Sequence, residues 1–356
     1  MRVLVVNAGS SSVKLALLDG ERTVRERSVE PGDAAGALAE LVGEGADAVG
    51  HRIVHGGQRF TGATVVDDGV VAALEELRVL APLHQGPALD ALRQAREALP
   101  EVPQVACFDT AFHRTIPPAA GTYAIPARWR EEFGVHRYGF HGLAHRWASA
   151  RAAELVGRPV GELRTVVAHL GSGASLCAVD RGRSVDTTMG HTPAAGLVMG
   201  SRGGDLDPAV PTYLVGRGLT PAEVDEGLNR AGGLKALAGT PDMREVVARA
   251  DRGDADAVLA LDVWAHRARA QIAAMTAALG GLDVLAFSGG VGEHQPALRA
   301  RLVDGLGCLG LALDPDRNGA ADGDAVIGAD GAAASTVVVH AREDLVIAGE
   351  VRQLLG

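Results

Sequence analysis

The sequence predicts an α/β fold made of two halves of one design, and three observations predict it. Strand-like apolar runs and helical patterns are mixed along all 356 residues, which calls for layered sheets and helices. The chain opens on a hairpin meander, which argues against a purely parallel sheet. A second hairpin of the same make begins about half a chain later.

Taken in order, Val3–Val6 reads as a short buried strand, Val13–Leu18 as a second and Thr23–Val29 as a third, with Asp19-Gly20 as the hairpin turn. Residues 166–185, "VVAHLGSGASLCAVDRGRSV", repeat the order strand, Gly/Ser turn, strand, Gly turn, strand. At a constant offset of 162, Asn7 falls on His169, Gly9 on Gly171, Ser10 on Ser172, Ala16 on Ala178 and Gly20 on Gly182. Gly/Ser hairpins are common, but two of one pattern favour internal duplication. Helical patterns follow at Val70–Leu80, Pro87–Leu99, Ala144–Val156 and Ala255–Leu279, and strand-like runs at Val102–Cys107, Val284–Phe287 and Thr336–His340. The Gly/Ala/Asp-rich stretch 318–334 reads as a surface loop.

The formal net charge of −10 argues against non-specific binding of nucleic acid or anionic lipid. An anionic substrate would therefore need positive charge concentrated locally. Three scattered cysteines, Cys107, Cys177 and Cys308, lack metal-ligand spacing and point to buried thiols in a reducing, cytoplasmic setting. The apolar run Val3–Val6 stops at Asn7, too soon for a leader, and no stretch of about 20 apolar residues occurs. Lys14 and Lys235 are the only lysines, so ordinary surface positions carry arginine and a lysine at 14 stands out.

Several segments have the composition of a site. "NAGSSSVK" ends a strand in small residues with Lys14 beyond. Such a turn lets backbone N–H groups and hydroxyls approach an anion, although a plain hairpin has the same composition. The second turn, His169–Ser175, favours two turns facing one polyphosphate. "FSGGVGEH" (287–294) is a third Gly-rich turn between a strand and a helix, with Pro296 suited to an early helix position. His51 and His55, like His141 and His145, have i, i+4 spacing without the glutamate of a zinc helix. On a strand His51 and His55 would sit ~13 Å apart, which excludes one shared metal. Asp109 ends a predicted strand, where α/β sites lie. Arg202, set among Gly200, Gly203 and Gly204, is hard to explain as scaffold.

Together, "NAGSSSVK", "GHRIVHGG", "APLH", "FDTAFHRTIP", "YGFHG", "HLGSGAS", "DTTMGHTPAAGLVMGSRGGDLDP", "DMR" and "FSGGVGEH" resemble the successive signatures of the acetate kinase family, in order and over nearly the whole chain. The resemblance implies two duplicated ribonuclease H-like domains of the actin/hexokinase/sugar-kinase superfamily around an interdomain cleft. Residues 1–112 with 341–356 would form one domain and 113–340 a nucleotide-binding second. It further implies a homodimer, ATP/ADP as co-substrate, Mg2+ (with Mn2+ as a substitute), and reversible phosphoryl transfer to acetate or another short-chain carboxylate. By position, Asp109, His141 and Arg202 resemble the family's catalytic residues. Arg52 resembles the ligand of the substrate carboxylate, with Val54, Leu83, His84, Phe140 and Pro193 lining its pocket. Asn7 and Glu343 resemble the metal-site residues. Ser10, Ser12, Lys14, the run His169, Leu170, Gly171, Ser172 and Gly173, then Asp242, Met243 and Arg244, then Gly290, Val291, Gly292, Glu293 and His294, resemble the nucleotide-binding segments.

The chain departs from the family at Ser172 and His294, where Asn is usual, at Gln85-Gly86, at Leu143-Ala144, in a short segment between Gly20 and Gly50, and in Arg342-Glu343-Asp344. A small carboxylic acid has a pKa of roughly 4–5 and arrives ionised, so the expected chemistry needs no general base. Asp109 is then a metal or orienting residue. Propionate or butyrate kinase activity, or a non-catalytic nucleotide sensor, are the other readings that this pattern admits.

Overall fold

The computed structural model describes residues 1–8, 13–30, 33–80 and 82–356, apart from the side chains of residues 34, 35, 39, 42, 79, 80 and 82–84. The first half is built on strands β1 (Arg2–Ala8), β2 (Val13–Asp19), β3 (Arg22–Val29), β4 (Ala48–Ile53), β5 (Thr64–Val65) and β6 (Gln104–Phe108). The second is built on β7 (Arg164–Leu170), β8 (Ala174–Asp180), β9 (Arg183–Thr187), β10 (Val284–Ser288), β11 (Ala325–Val326) and β12 (Ser335–Val338). The sheet orders are β3-β2-β1-β4-β6-β5 and β9-β8-β7-β10-β12-β11, and every pair of equivalent neighbours has the same direction. The expected duplication is therefore a duplication of topology.

The repeat is not at constant offset. Strands β1 and β7 match at 162, whereas β2 and β8 match at 161, because one residue fewer joins β7 to β8. A ladder irregularity falls at Leu17/Leu18 in one half and at Ala178/Val179 in the other, which fixes the shift. Ala16 is thus equivalent to Cys177, Gly20 to Arg181 and Lys14 to Ser175. Gly20 and Arg181 both hold positive φ, 62° and 51°, as a tight hairpin requires.

The central strands are apolar on both faces because helices cover both. Helix Pro82–Ala98 packs on one face of the first sheet, through Ala88, Leu89 and Leu92 against Leu4, Val6 and Val49. It begins before the expected start at Pro87, whose missing N–H falls within its second turn. Helix Glu343–Leu355 returns to the other face, where Ile347, Ala348 and Val351 meet Val3, Val5, Val105 and Cys107. A Cβ on Gly50 would lie 2.5 Å from Ile347 Cγ2, so this close approach needs glycine. In the second half, helix Ala255–Leu279 covers one sheet face and helix Gly142–Leu155 the other.

The stretch 318–334 is not a plain surface loop. It contains β11 and buried Ile327, and Asn318 is buried because its side chain and carbonyl take the guanidinium of Arg299.

Candidate active site

Four side chains of the first sheet and its return helix form one polar cluster. Arg52, at the end of β4, forks onto Asp109, just beyond β6, with Nε donating to Oδ1 (3.1 Å) and Nη2 to Oδ2 (2.7 Å). Its Nη1 donates to Asn7 Oδ1 at 3.2 Å, and Asn7 Nδ2 donates to Glu343 Oε2 at 3.0 Å. Neighbouring strands bring these residues together because β1, β4 and β6 run parallel and end on one side. Arg342 is occupied by Asp344 (2.8 Å), so Glu343 alone of that triplet turns to Asn7.

Burial lifts the Asp109 carboxyl above its ordinary value, against the pull of Arg52. Burial also works against the Arg52 charge, but Asp109 and Glu343 outweigh it and hold the guanidinium above its usual value. Glu343 is held below the usual range despite its burial, by Arg52, then His169, Asn7 and Lys14. Among the described residues three of Arg52's five N–H groups are used, which leaves two for a ligand. Among the described residues no three His, Cys, Asp or Glu side chains gather as a metal-ligand set. The hard oxygens present are those of Asp109, Glu343 and the Asn7 amide, which suit a cation that keeps most of its waters.

The second half supplies imidazoles and a guanidinium. His141 caps helix Gly142–Leu155 with a left-handed backbone (φ 56°), and the Gly142 N–H donates to the Asp109 carbonyl at 2.9 Å. Its Nδ1 lies 2.9 Å from Ser175 Oγ, and its ring is 4.9 Å from that of His169. Burial first, then His169, Arg52, His145 and Arg202, hold His141 well below its ordinary value, so it is neutral at pH 7.

Arg202 sits in a loop whose shape is fixed by others. Gly196 N donates to Asp205 Oδ1 (2.8 Å), Asp205 N donates back to the Gly196 carbonyl (3.0 Å), and Gly204 (φ 77°) lies against that carbonyl with no room for a Cβ. Arg202 Nη1 donates to the Pro193 carbonyl at 2.6 Å. A Cβ on Gly173 would meet Arg202 Nη2 at 2.9 Å and His141 Nε2 at 3.5 Å, so guanidinium and imidazole face one point across a bare backbone.

Two cavities share Gly290 and His294 in their linings. One, of about 540 Å³, is lined by Asn7, Lys14, His169, Glu293, Glu343 and others. The second, of about 650 Å³, is lined by Gly171, Ser172, Asp242, Met243, Arg244 and Val291, among others. The expected nucleotide segments thus meet, with exceptions. Leu170 is a core residue, and Gly292 packs beneath the turn against Phe287. The Glu293 carboxylate accepts from the backbone N–H groups of Gly289 (2.9 Å) and Ala341 (3.1 Å), bracing the turn. Asp242 and Arg244 pair with each other at 2.6 Å. Val54 and Phe140 belong to one buried cluster, and the Pro193 carbonyl holds Arg202. Ser10, Ser12 and the side chains of Leu83 and His84 lie outside the described residues.

Three residues around the site had no sequence signal of their own. Ser175 joins His141 to His145, and it becomes visible once the repeat is allowed its one-residue shift, since it occupies the position of Lys14. Gln85, in a departing dipeptide, accepts from His55 N and donates to His55 O, both at 3.2 Å. Arg299 donates to the carbonyls of Gly292 (2.8 Å) and Glu293 (2.7 Å), clamping the turn from behind.

The excluded zinc pair is structural. His51 bonds Gln104 Oε1 through Nε2 (2.7 Å), and His55 Nδ1 accepts from Gly57 N (2.8 Å). Burial pushes His51, His55 and His113 each down to about 4. The unfolded chain would protonate them near 6.5, so their stabilisation is complete above that pH and is lost as pH falls towards 4. Each contributes a slope of up to about 1.4 kcal/mol per pH unit. His136, His141, His145, His169 and His191 are lowered as well, mainly by burial, and together these histidines outnumber Asp109, Asp186 and Glu350, whose raised values act the other way. The melting temperature is expected to drop steadily from pH 6.5 to 4.5 at fixed ionic strength, and a flat profile would contradict this.

Fold and cleft define a two-domain kinase of the actin/hexokinase type, with opposite faces supplied by duplicated halves. The chain belongs to the acetokinase family, whose profile matches residues 37–349. It is 50% identical to an acetate kinase of Leifsonia xyli over 389 aligned positions, covering 99% of this chain and 98% of that one. The crystal structure of Porphyromonas gingivalis acetate kinase superposes with a TM-score of 0.91 at 34% identity, covering all of both chains. A propionate kinase from Francisella tularensis superposes equally, with a TM-score of 0.91 at 33% identity over 98% of each.

Proposed function

We propose that the protein is an acetate kinase, transferring the γ-phosphoryl group of ATP to acetate to give acetyl phosphate and ADP, reversibly. The observation that carries this is the convergence of Arg52 from one half with His141 and Arg202 from the other. Nucleophile and phosphoryl donor are both anions, so the chief obstacle is their repulsion. The two free N–H groups of Arg52 take the substrate carboxylate, while Asp109 holds that guanidinium in place. A carboxylate oxygen forms the new P–O bond as the bond to ADP breaks. Arg202 and the neutral His141 donate to the phosphoryl oxygens as negative charge passes across them.

Mg2+ would be held through Asn7, Asp109 and Glu343, partly by way of water, and when bound it neutralises polyphosphate charge. Lys14 and His169 line the phosphate end of the nucleotide site, and Ser172, Asp242–Arg244, Val291 and His294 the other. Residues 1–112 with 341–356 are the first domain and 113–340 the second. The protein works in the cytoplasm as a homodimer. Helix Ala209–Gly216 supports the latter, for it buries none of its residues and leaves Tyr213 62% and Val215 43% exposed. A monomeric mass in sedimentation would remove that assignment.

Likeness to a propionate kinase favours a second acyl substrate, and Val54, Phe140 and Pro193 bound the methyl end. One methylene in such a pocket changes discrimination by only ~1–3 kcal/mol. ATP-dependent acyl phosphate, trapped with hydroxylamine across acetate, propionate and butyrate, tests the reading. Product is expected with acetate above the others, and no product from any of them would favour a nucleotide sensor.

A further inference from the structure

His141 can aid phosphoryl transfer as a neutral group only if its proton sits on the nitrogen that faces the cleft. The hydrogen bonds behind it decide which nitrogen that is. Ser175 Oγ lies 2.9 Å from His141 Nδ1 and 2.7 Å from His145 Nε2. A serine hydroxyl has one hydrogen, so it donates to one imidazole and accepts from the other. Either direction satisfies the serine.

The far side of His145 breaks the tie. Its Nδ1 is buried and has no partner among the described residues. A proton there would make a buried N–H with no acceptor, which proteins avoid more strictly than a bare acceptor. The His145 proton therefore belongs on Nε2 and is donated to Ser175. Ser175 donates in turn to His141 Nδ1, which leaves the His141 proton on Nε2. That nitrogen has no partner among the described residues and lies beside Gly173 and Arg202. Nearby His113 does not compete for the serine, because its Nε2 is committed to the Phe140 carbonyl (2.9 Å) and its Nδ1 to Ser184 Oγ (2.8 Å).

We infer that His145 and Ser175 are positioning residues that fix His141 as an Nε2–H donor aimed into the cleft. This rests on the reading of His141 as a ligand of the transferring phosphoryl group. The opposite tautomer would turn a lone pair towards phosphoryl oxygens and oppose the reaction. The duplicated fold places this device where the first half carries Lys14, at the equivalent position of the second strand.

The test is a long-range ¹H–¹⁵N correlation spectrum of the full-length protein with labelled histidine rings, the His141 signals being assigned by their loss in His141→Gln. The expected result is an unprotonated Nδ1 and a protonated Nε2. A proton on Nδ1 in the unsubstituted protein overturns the inference, with no variant required to fold. Ser175→Ala is expected to mix the tautomers and lower kcat about 10- to 100-fold with KM for ATP and acetate little changed. Ser175→Thr, which keeps the hydroxyl, is expected to recover most of the rate. An unchanged kcat in Ser175→Ala would also overturn it. Normal turnover in His141→Ala would instead strike the phosphoryl role of His141 and leave the tautomer assignment standing.

Discussion

Replacing Arg202 with alanine is expected to lower kcat by about 10³-fold or more, as loss of an arginine that meets a transferring phosphoryl group does. Fold loss would not account for it. Among the described residues the Arg202 side chain makes one hydrogen bond, to the Pro193 carbonyl, whereas the loop is held by Asp205, Gly196 and Gly204. The melting temperature should therefore stay near that of the unsubstituted protein while turnover collapses. Arg202→Lys should recover little, because a point charge cannot hold Pro193 and present a planar fork at once. Gly173→Ala should behave as a milder version, since the added Cβ would lie 2.9 Å from Arg202 Nη2 and displace it. Hydroxamate formation at saturating ATP and acetate measures all three. Near-normal turnover in Arg202→Ala would take this residue out of the mechanism.

What the sequence made legible was local or repeated. The strands, the hairpin turns and helix Ala255–Leu279 follow from runs of apolar residues with turn residues at their ends, and the two hairpins announce the duplication. Arg202 showed itself because glycine on both sides of a charged residue has little scaffold value. What stayed hidden depends on partners distant in the chain. Asn318 looks like a loop residue until Arg299 is seen to need its amide, and Glu343 looks like a helix start until it meets Asn7, 336 residues away. Ser175 was hidden for a different reason. A constant offset aligned Lys14 with Leu176, and the one-residue shorter turn moves it to the serine that supports His141.

The same logic of distant partners makes Arg52 the most consequential position for stability. It is the principal cation against buried Asp109, which is 1% exposed, and it also neutralises Glu343. Arg52→Ala leaves a buried carboxylate unpaired, a change that costs about 3–5 kcal/mol. The urea midpoint at pH 7 should fall accordingly, and carboxylate-dependent turnover with it. The pH dependence separates this from a mere loss of packing. Without Arg52 the folded-state pKa of Asp109 moves further above its unfolded value, so the folded state takes up a proton that the unfolded chain does not. Both proteins lose stability through the shared buried histidines as pH falls from 7 towards 5, but the variant loses less because Asp109 takes up its proton, and their midpoints should converge. Arg52→Ala combined with Asp109→Asn should restore most of the midpoint at pH 7, because the amide carries no charge to bury, yet none of the turnover. A parent-like midpoint in Arg52→Ala at pH 7 would show that water or another cation already neutralises Asp109, and that the fork seen here does not hold the cleft together.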